Sequence, residues 1–432
     1  MSPIPLGILA SSGFTLPTFV FRVSAATSVD SNGVDIDSLG NTFLGVSTSS
    51  ADALLKINND GSLNKAITVT NRLQPEFEIS PYDNSIWDNQ AATIVDRYDN
   101  NLTERTTYTF SVSGTALTIS DVDFYPNGDF CISGRYTTAG NQIRAVVARV
   151  TAAGTVSWAR EYSVSGNNGR IQSFYNCVVN PDTEDVFVLG KVGTSADTTT
   201  TQMVLARYNS TGTLSGSTRY ASFSTSSRFN AKFSNFWSNN KAHFSTRDFG
   251  TGNNNIIVIS DGGTATSFKY LDNGATGLLQ LGNEYANLQK RTTGSTGAVE
   301  IGVFNSSLTK IATHGISNFQ DSGDLNIKEI GASDSSQRTI YAEQNQIASP
   351  NVVDGFVVIP NTPIPAIGKI ATVASRTYTA SSLASPNLSI SAVPSAALAG
   401  SVTTANTTMS VTVSTSATSV DSSFTYQYGL FN

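Results

Sequence analysis

AVVARVTAAGTVSWAREYS (Ala145–Ser163) and MVLARYNSTGTLSGSTRYAS (Met203–Ser222) are nearly superimposable. In each, an apolar run meets a Gly-centred polar turn and is followed by a second strand-like run. The same layout returns in ALLKINNDGSLNKAITV from Ala53, TIVDRYDNNLTERTTYTF from Thr93, NIIVISDGGTATSFKYL from Asn255 and VEIGVFNSSLTKIATHGI from Val299. Asp60-Gly61, Asn100-Asn101, Ala153-Gly154, Thr211-Gly212, Asp261-Gly262 and Asn305-Ser306 hold the same place in these units. Such residues supply the positive backbone torsions that tight hairpins need.

Two further short strands precede each hairpin. DVDFYPNGDFCISGRYT (Asp121–Thr137), FYNCVVNPDTEDVFVLGKVG (Phe174–Gly193) and NGVDIDSLGNTFLGVSTSS (Asn32–Ser50) show them, each pair joined by turn residues. A unit of four antiparallel strands in roughly 40 to 55 residues is the signature of a propeller blade. About seven such units begin near Asn32, Pro75, Ser120, Ser173, Phe229, Leu278 and Leu325. The last stops after three strands, at Pro360, Pro363 and Pro365. TFVFRVSA (Thr18–Ala25) alternates Phe19, Phe21 and Val23 and is expected to supply the missing strand by pairing with Val352–Ile359, which removes an exposed edge. The repeat resembles the general bacterial β-propeller repeat class in its Gly-x-Val/Phe strands and Gly-centred outer turn, without WD or kelch signatures. The expected fold is therefore all-β: a propeller over 18–363, an N-terminal arm over 1–17 and a small C-terminal β segment over 364–432. An array of two-sheet sandwiches is the rival architecture.

Charged residues are 13% of the 432, roughly half the usual share. Ser, Thr, Asn and Gly take their place, a mixture that favours strands and turns. A net charge of −6 with no basic stripe argues against nucleic acid as a partner. Cys131 and Cys177 lie in apolar strand-like runs, as two buried thiols would, and a disulfide scaffold is excluded. His243 and His314 are the only histidines, too few and too dispersed for a metal centre. No HExxH, CxxC, GxSxG or GKS/GKT motif occurs. DSNGVDIDS (Asp30, Asp35, Asp37) departs from EF-hand spacing and lacks the terminal Glu, so it reads as a blade-entry loop. The outer turns sit where sialidase-like propellers carry Asp-boxes but lack the aspartate, and no arginine triad stands out. The expectation is a non-enzyme with no catalytic residues, cofactor or metal.

Both chain ends are unusual. PIPLGILA (Pro3–Ala10) is apolar and uncharged, yet Pro3, Pro5 and Gly7 interrupt it and no Lys or Arg precedes Arg22. It fits neither a signal peptide nor a membrane span. As an extended arm of about 17 residues it reaches on the order of 50 Å, with Ile4, Leu6, Ile8 and Ala10 on one face and Leu9 beside them. From Thr377 to Val420 no residue is charged. A segment this short cannot build its own core, so it must pack on the propeller, on a copy of itself or on another protein. Its end, SSFTYQYGLFN, carries Phe424, Tyr426, Tyr428, Leu430 and Phe431; Phe424, Tyr426, Tyr428 and Phe431 are the expected partner contacts. In RFNAKFSNFWSNN, Phe233, Phe236 and Trp237 are candidate glycan contacts beside Arg228 and Phe229, although buried blade positions give the same spacing.

The arm motif Pro5-Leu6-Gly7-Ile8-Leu9, set ahead of Ser/Thr/Asn-rich β sequence, resembles virion proteins of tailed bacteriophages. That resemblance implies a structural component of the virion, in the tail or its appendages, assembled in bacterial cytoplasm. Its partners would be other virion proteins and copies of itself in a symmetric assembly, with no nucleic acid and no membrane insertion. The alternative is a secreted or surface carbohydrate-binding propeller that takes host glycan.

Overall fold

The computed structural model describes residues 19–431 except 50, 70–76, 90–92, 165–170, 194–200, 221–228, 249–253, 261–264, 272–278, 282–283, 292–296, 320–329, 334–338, 346–349, 359–369, 374–375, 382–389, 393–396 and 399–401. All regular structure among the described residues is strand. After β1 (Phe19–Ser24) the strands pair in sets of four. The first set is β2 (Asp30–Ile36), β3 (Thr42–Ser47), β4 (Asp52–Ile57) and β5 (Leu63–Val69). The second is β6 (Phe77–Ile79), β7 (Ile86–Asp88), β8 (Ile94–Tyr98) and β9 (Glu104–Val112). The third is β10 (Thr115–Phe124), β11 (Phe130–Thr137), β12 (Ile143–Val150) and β13 (Val156–Val164). The fourth is β14 (Ile171–Val179), β15 (Val186–Gly193), β16 (Thr201–Tyr208) and β17 (Leu214–Tyr220). The fifth is β18 (Phe229–Ser238), β19 (Lys241–Asp248), β20 (Asn254–Ser260) and β21 (Ala265–Leu271). The sixth is β22 (Leu279–Leu281), β23 (Glu284–Arg291), β24 (Gly297–Phe304) and β25 (Lys310–Phe319). The last holds β26 (Ile330–Ser333), β27 (Thr339–Asn345), β28 (Val352–Val358) and, from the other end of the chain, β1.

First strands of successive sets pack together: β2 on β6, β10 on β14, β14 on β18, β18 on β22, β22 on β26, and β26 back on β2. The second and third sets are linked by the β9–β10 hairpin. The sheets thus follow one another around a closed ring, and the chain is a β-propeller, not an array of sandwiches. The core is a series of layers between neighbouring sets. Alternation makes this possible, since both faces of a strand bury apolar side chains. Leu44 and Leu55 face the last set's Val353 and Val357, while Phe43 and Leu54 face Phe77 and Ile86 of the second. The closing pairing is the one that the alternation of Phe19, Phe21 and Val23 predicts: β1 runs antiparallel to β28, with Phe19 opposite Val357 and Val23 opposite Val353.

The C-terminal segment packs on the propeller, the first of the three options open to it. Its strands are β29 (Ile370–Val373), β30 (Arg376–Ser381), β31 (Ile390–Ala392), β32 (Ala397–Leu398), β33 (Val402–Asn406), β34 (Met409–Ala417), β35 (Ser419–Val420) and β36 (Thr425–Leu430). β30 pairs with β25, β31 with β21, β32 with β17, β33 with β13, β34 with β9, β35 with β5, and β36 with β1. Every set gains a fifth, antiparallel strand, and the chain runs round the ring against the order in which the sets were laid down. An open outer edge offers a row of backbone donors and acceptors, which is what a segment without a core of its own requires.

The outer turns share one hydrogen bond. Gly61 N–H donates to Asn58 O at 2.9 Å, Gly154 N–H to Thr151 O at 2.8 Å and Gly212 N–H to Asn209 O at 2.8 Å. In two turns the residue with positive φ is neither Asn nor Gly. Asn100-Asn101 and Asn305-Ser306 hold the expected place, but the left-handed torsion falls one or two residues on, at Leu102 (φ 54°) and Leu308 (φ 60°). Leu102 is fully buried in the layer between the first two sets, and that burial offsets the strain of a side chain in this region. Asp261-Gly262 lies outside the described residues.

Candidate interaction surface

The two ends of the chain meet in one sheet, where β1 is held between β28 and β36. Arg22 lies opposite Asp354 of β28 and grips it with two bonds, Nε to Oδ1 at 2.7 Å and Nη2 to Oδ2 at 2.9 Å. Asp354 is wholly buried, so this bidentate pair fixes the register of the closing strand where a slip would strand a charge. On the other side of β1, Val23 lies opposite Tyr426, Phe21 opposite Tyr428 and Phe19 opposite Leu430.

Tyr426, Tyr428 and Leu430 share a face of β36 by the two-residue period of a strand. The Tyr426 ring stacks on Phe21 at 6.2 Å, and its hydroxyl donates to Gly61 O at 2.9 Å. Burial pushes that phenol well above its usual range. Tyr428 meets Phe19 edge-on at 6.4 Å and covers Gly61, where a Cβ would stand 2.7 Å from its ring. Phe424 packs, half-buried, on the same apolar layer. Exposure rises along the strand to 42% at both Tyr428 and Leu430. Phe424 and Tyr426 are thus covered by this chain's own propeller, Phe431 is half-buried, and Tyr428 with Leu430 remains open to a partner. Val413 and Val420 of the C-terminal strands are exposed as well; the sequence singled out neither, since isolated valines in a Ser/Thr run carry no signal of which side faces outward. The docking-arm residues Ile4, Leu6, Ile8 and Leu9 lie outside the described residues.

The candidate glycan aromatics sit at joints between sets. Phe236 stacks on His243 at 4.8 Å and 8°, and Trp237 lies 5.3 Å from Phe187 of the fourth set. Both are half-buried; Phe233 lies on β18, and its side chain is outside the described residues. His243 is buried and tied on both nitrogens. Nδ1 lies 3.2 Å from Lys241 O and Nε2 lies 3.0 Å from the Tyr285 hydroxyl, to which Asn239 also donates at 3.0 Å. The carbonyl requires the proton on Nδ1, which leaves Nε2 to accept from the tyrosine. Burial pulls this imidazole down to about 4.

Carboxylates on the first strands act as clamps between sets, a use that sequence reading did not assign to them. Asp35 accepts from Ile79 N–H at 2.8 Å, Asp121 from Cys177 N–H at 2.7 Å and Asp123 from Val179 N–H at 2.6 Å. Asp35 and Asp123 hold the same place, the last residue but one of β2 and β10, and that shared position was the signal. Asp37 accepts from Leu39 N–H, Asn41 N–H, and the Asn41 and Asn100 amides. The stretch weighed for calcium is therefore rich in donors to its carboxylates, and among the described residues no group of three or more His, Cys, Asp or Glu side chains could hold a metal. Cys131 and Cys177 are free, buried thiols in the layer between the third and fourth sets, and burial raises both.

No protein-family model and no curated protein matches the chain. Its fold is similar to that of solved structures at low identity. BamB from Moraxella catarrhalis is 12% identical, with a TM-score of 0.36, over 76% of this chain and 85% of that one. The Dos1 propeller is 11% identical, with a TM-score of 0.39, over 78% and 94%. A subtype N10 neuraminidase-like protein (little yellow-shouldered bat, Guatemala) is 10% identical, with a TM-score of 0.37, over 79% and 98%.

Proposed function

We propose that this propeller is a non-enzymatic structural component of a bacteriophage virion, in the tail or its appendages, joining other virion proteins and copies of itself. The observation that carries this reading is the meeting of the chain ends. β1 closes the ring and β36 closes the outer circuit, and Phe19, the first described residue, lies opposite Leu430 and next to the exposed Tyr428. An uncharged apolar stretch in the sequence just ahead of β1 suits attachment to a neighbour better than any chemistry. The Pro5–Leu9 motif and the charge-free C-terminal strands support the same reading, and assembly in bacterial cytoplasm suits two free buried thiols.

Deleting residues 1–17 tests it. The truncated protein should keep the unfolding transition of the full chain yet be missing from purified particles by mass spectrometry. Normal incorporation would remove the arm from the account, and absence of the full-length protein from particles would remove the virion role. A carbohydrate-binding propeller is the competing reading, with Phe236 and Trp237 as its aromatic faces. Selective binding of the full chain on a glycan array, lost on changing Trp237 to Ala, would favour it.

A further inference from the structure

We infer that the receptor for the N-terminal arm is the open end of β36, the Tyr428–Leu430 face, and that its occupant is residues 4–10 of a second copy of this chain. The inference rests on the reading of residues 1–17 as a docking arm and names where that arm seats. Along β36 the apolar face is progressively uncovered: Tyr426 is packed between Phe21 and Gly61, Tyr428 is 42% exposed, and so is Leu430. Cover runs out at the point where the arm begins, because Phe19, the first residue of β1, lies opposite Leu430. Among the described residues β36 is also the last strand of its sheet, and its outer edge can take one more extended segment.

The arm has the matching chemistry. Residues 1–17 hold no charged side chain, and Ile4, Leu6, Ile8 and Ala10 alternate to one face when extended. Pro3, Pro5 and Gly7 keep it from forming a helix. Direction favours a second copy over the arm's own chain. β1 occupies the inner side of β36 and runs antiparallel to it, with its first residue Phe19 opposite Leu430. Seating in its own chain demands a reversal around the end of β36, and seating on a neighbour demands none.

The test mixes two variants of the full chain, Leu6→Cys and Leu430→Cys, and oxidises them with diamide. Cys131 and Cys177 are fully buried and do not compete. The mixture should give covalent dimer at least ~tenfold above either variant alone, since docking raises the local thiol concentration. Adding Tyr428→Ser to the receptor chain should sharply reduce that yield. Tyr428→Cys serves as a second receptor position and should cross-link in the same way. A mixture no richer in dimer than its components, at both receptor positions, would overturn the assignment. So would a Leu6→Cys/Leu430→Cys double variant that closes within single chains at high dilution. If residues 1–17 prove necessary for incorporation into particles while no cross-link forms, the arm docks elsewhere and only this assignment falls.

Discussion

At Gly212 the backbone takes φ 75°, and the Trp158 ring of the preceding set lies 2.6 Å from where a Cβ would stand. Gly114, in the β9–β10 hairpin, has φ 79° and nothing within 4 Å. The two positions separate torsion from close approach. Gly114→Ala should cost about 1 kcal/mol for the left-handed torsion alone, and Gly212→Ala about 2–4 kcal/mol because the indole must also move. Equal losses in denaturant midpoint would mean that the indole socket contributes nothing. Gly212 is plain in the sequence as a turn residue, but its second duty depends on which side chain the neighbouring set places over it. His243 gives a pH prediction. Its folded value of about 4 lies below the ordinary 6.5, so the unfolded chain binds the proton first as pH falls. The stability it confers is complete above about pH 6.5 and is lost progressively toward pH 4, about 3 kcal/mol in all. His243→Gln should flatten that part of the stability profile; an unchanged slope between pH 6.5 and 5 would contradict a buried neutral imidazole.

Among the elements, β1 carries a bidentate ion pair, Arg22 on Asp354 of β28. Removing the Arg22 guanidinium takes two charge-assisted bonds from the buried Asp354, so Arg22→Met should destabilise by about 3–5 kcal/mol. Changing Asp354 to Leu in the same chain should restore much of that, because no buried carboxylate remains. A loss below about 1 kcal/mol in Arg22→Met, read from urea unfolding, would show that the register is held by backbone pairing alone. This strand was legible in advance for two physical reasons: its two-residue apolar period, and a last unit that ran out of chain one strand short. The outer strands were not. β31, β32 and β35 are three, two and two residues long, too short for any period to register. Their positions are set by the spacing of edges around a ring already built, which is a property of the tertiary structure and not of the segment. The aromatic end of the chain was legible as an anchor, but alternation alone could not say that Tyr426 would be covered by this chain and Tyr428 left half open.

For the molecule as a whole, ring and outer circuit form one folded unit, closed where β1 lies between β28 and β36. The four-strand repeat made the ring readable because the first four sets and the sixth close their outer hairpin with the same backbone hydrogen bond, from Gly61, Leu102, Gly154, Gly212 and Leu308. The candidate surface was only half readable, since it arises where residues some 400 positions apart in sequence, Phe19 and Leu430, are brought side by side. Hydrogen–deuterium exchange on the free full-length protein tests the claim most directly. The alternate amides of Met409–Ala417 that face β9 along the Glu104–Val112 pairing should be protected and lose protection together with β9 in mild denaturant. Exchange of Met409–Ala417 at unstructured rates, with β9 still protected, would show that the C-terminal segment is not part of the folded ring and would contradict the account.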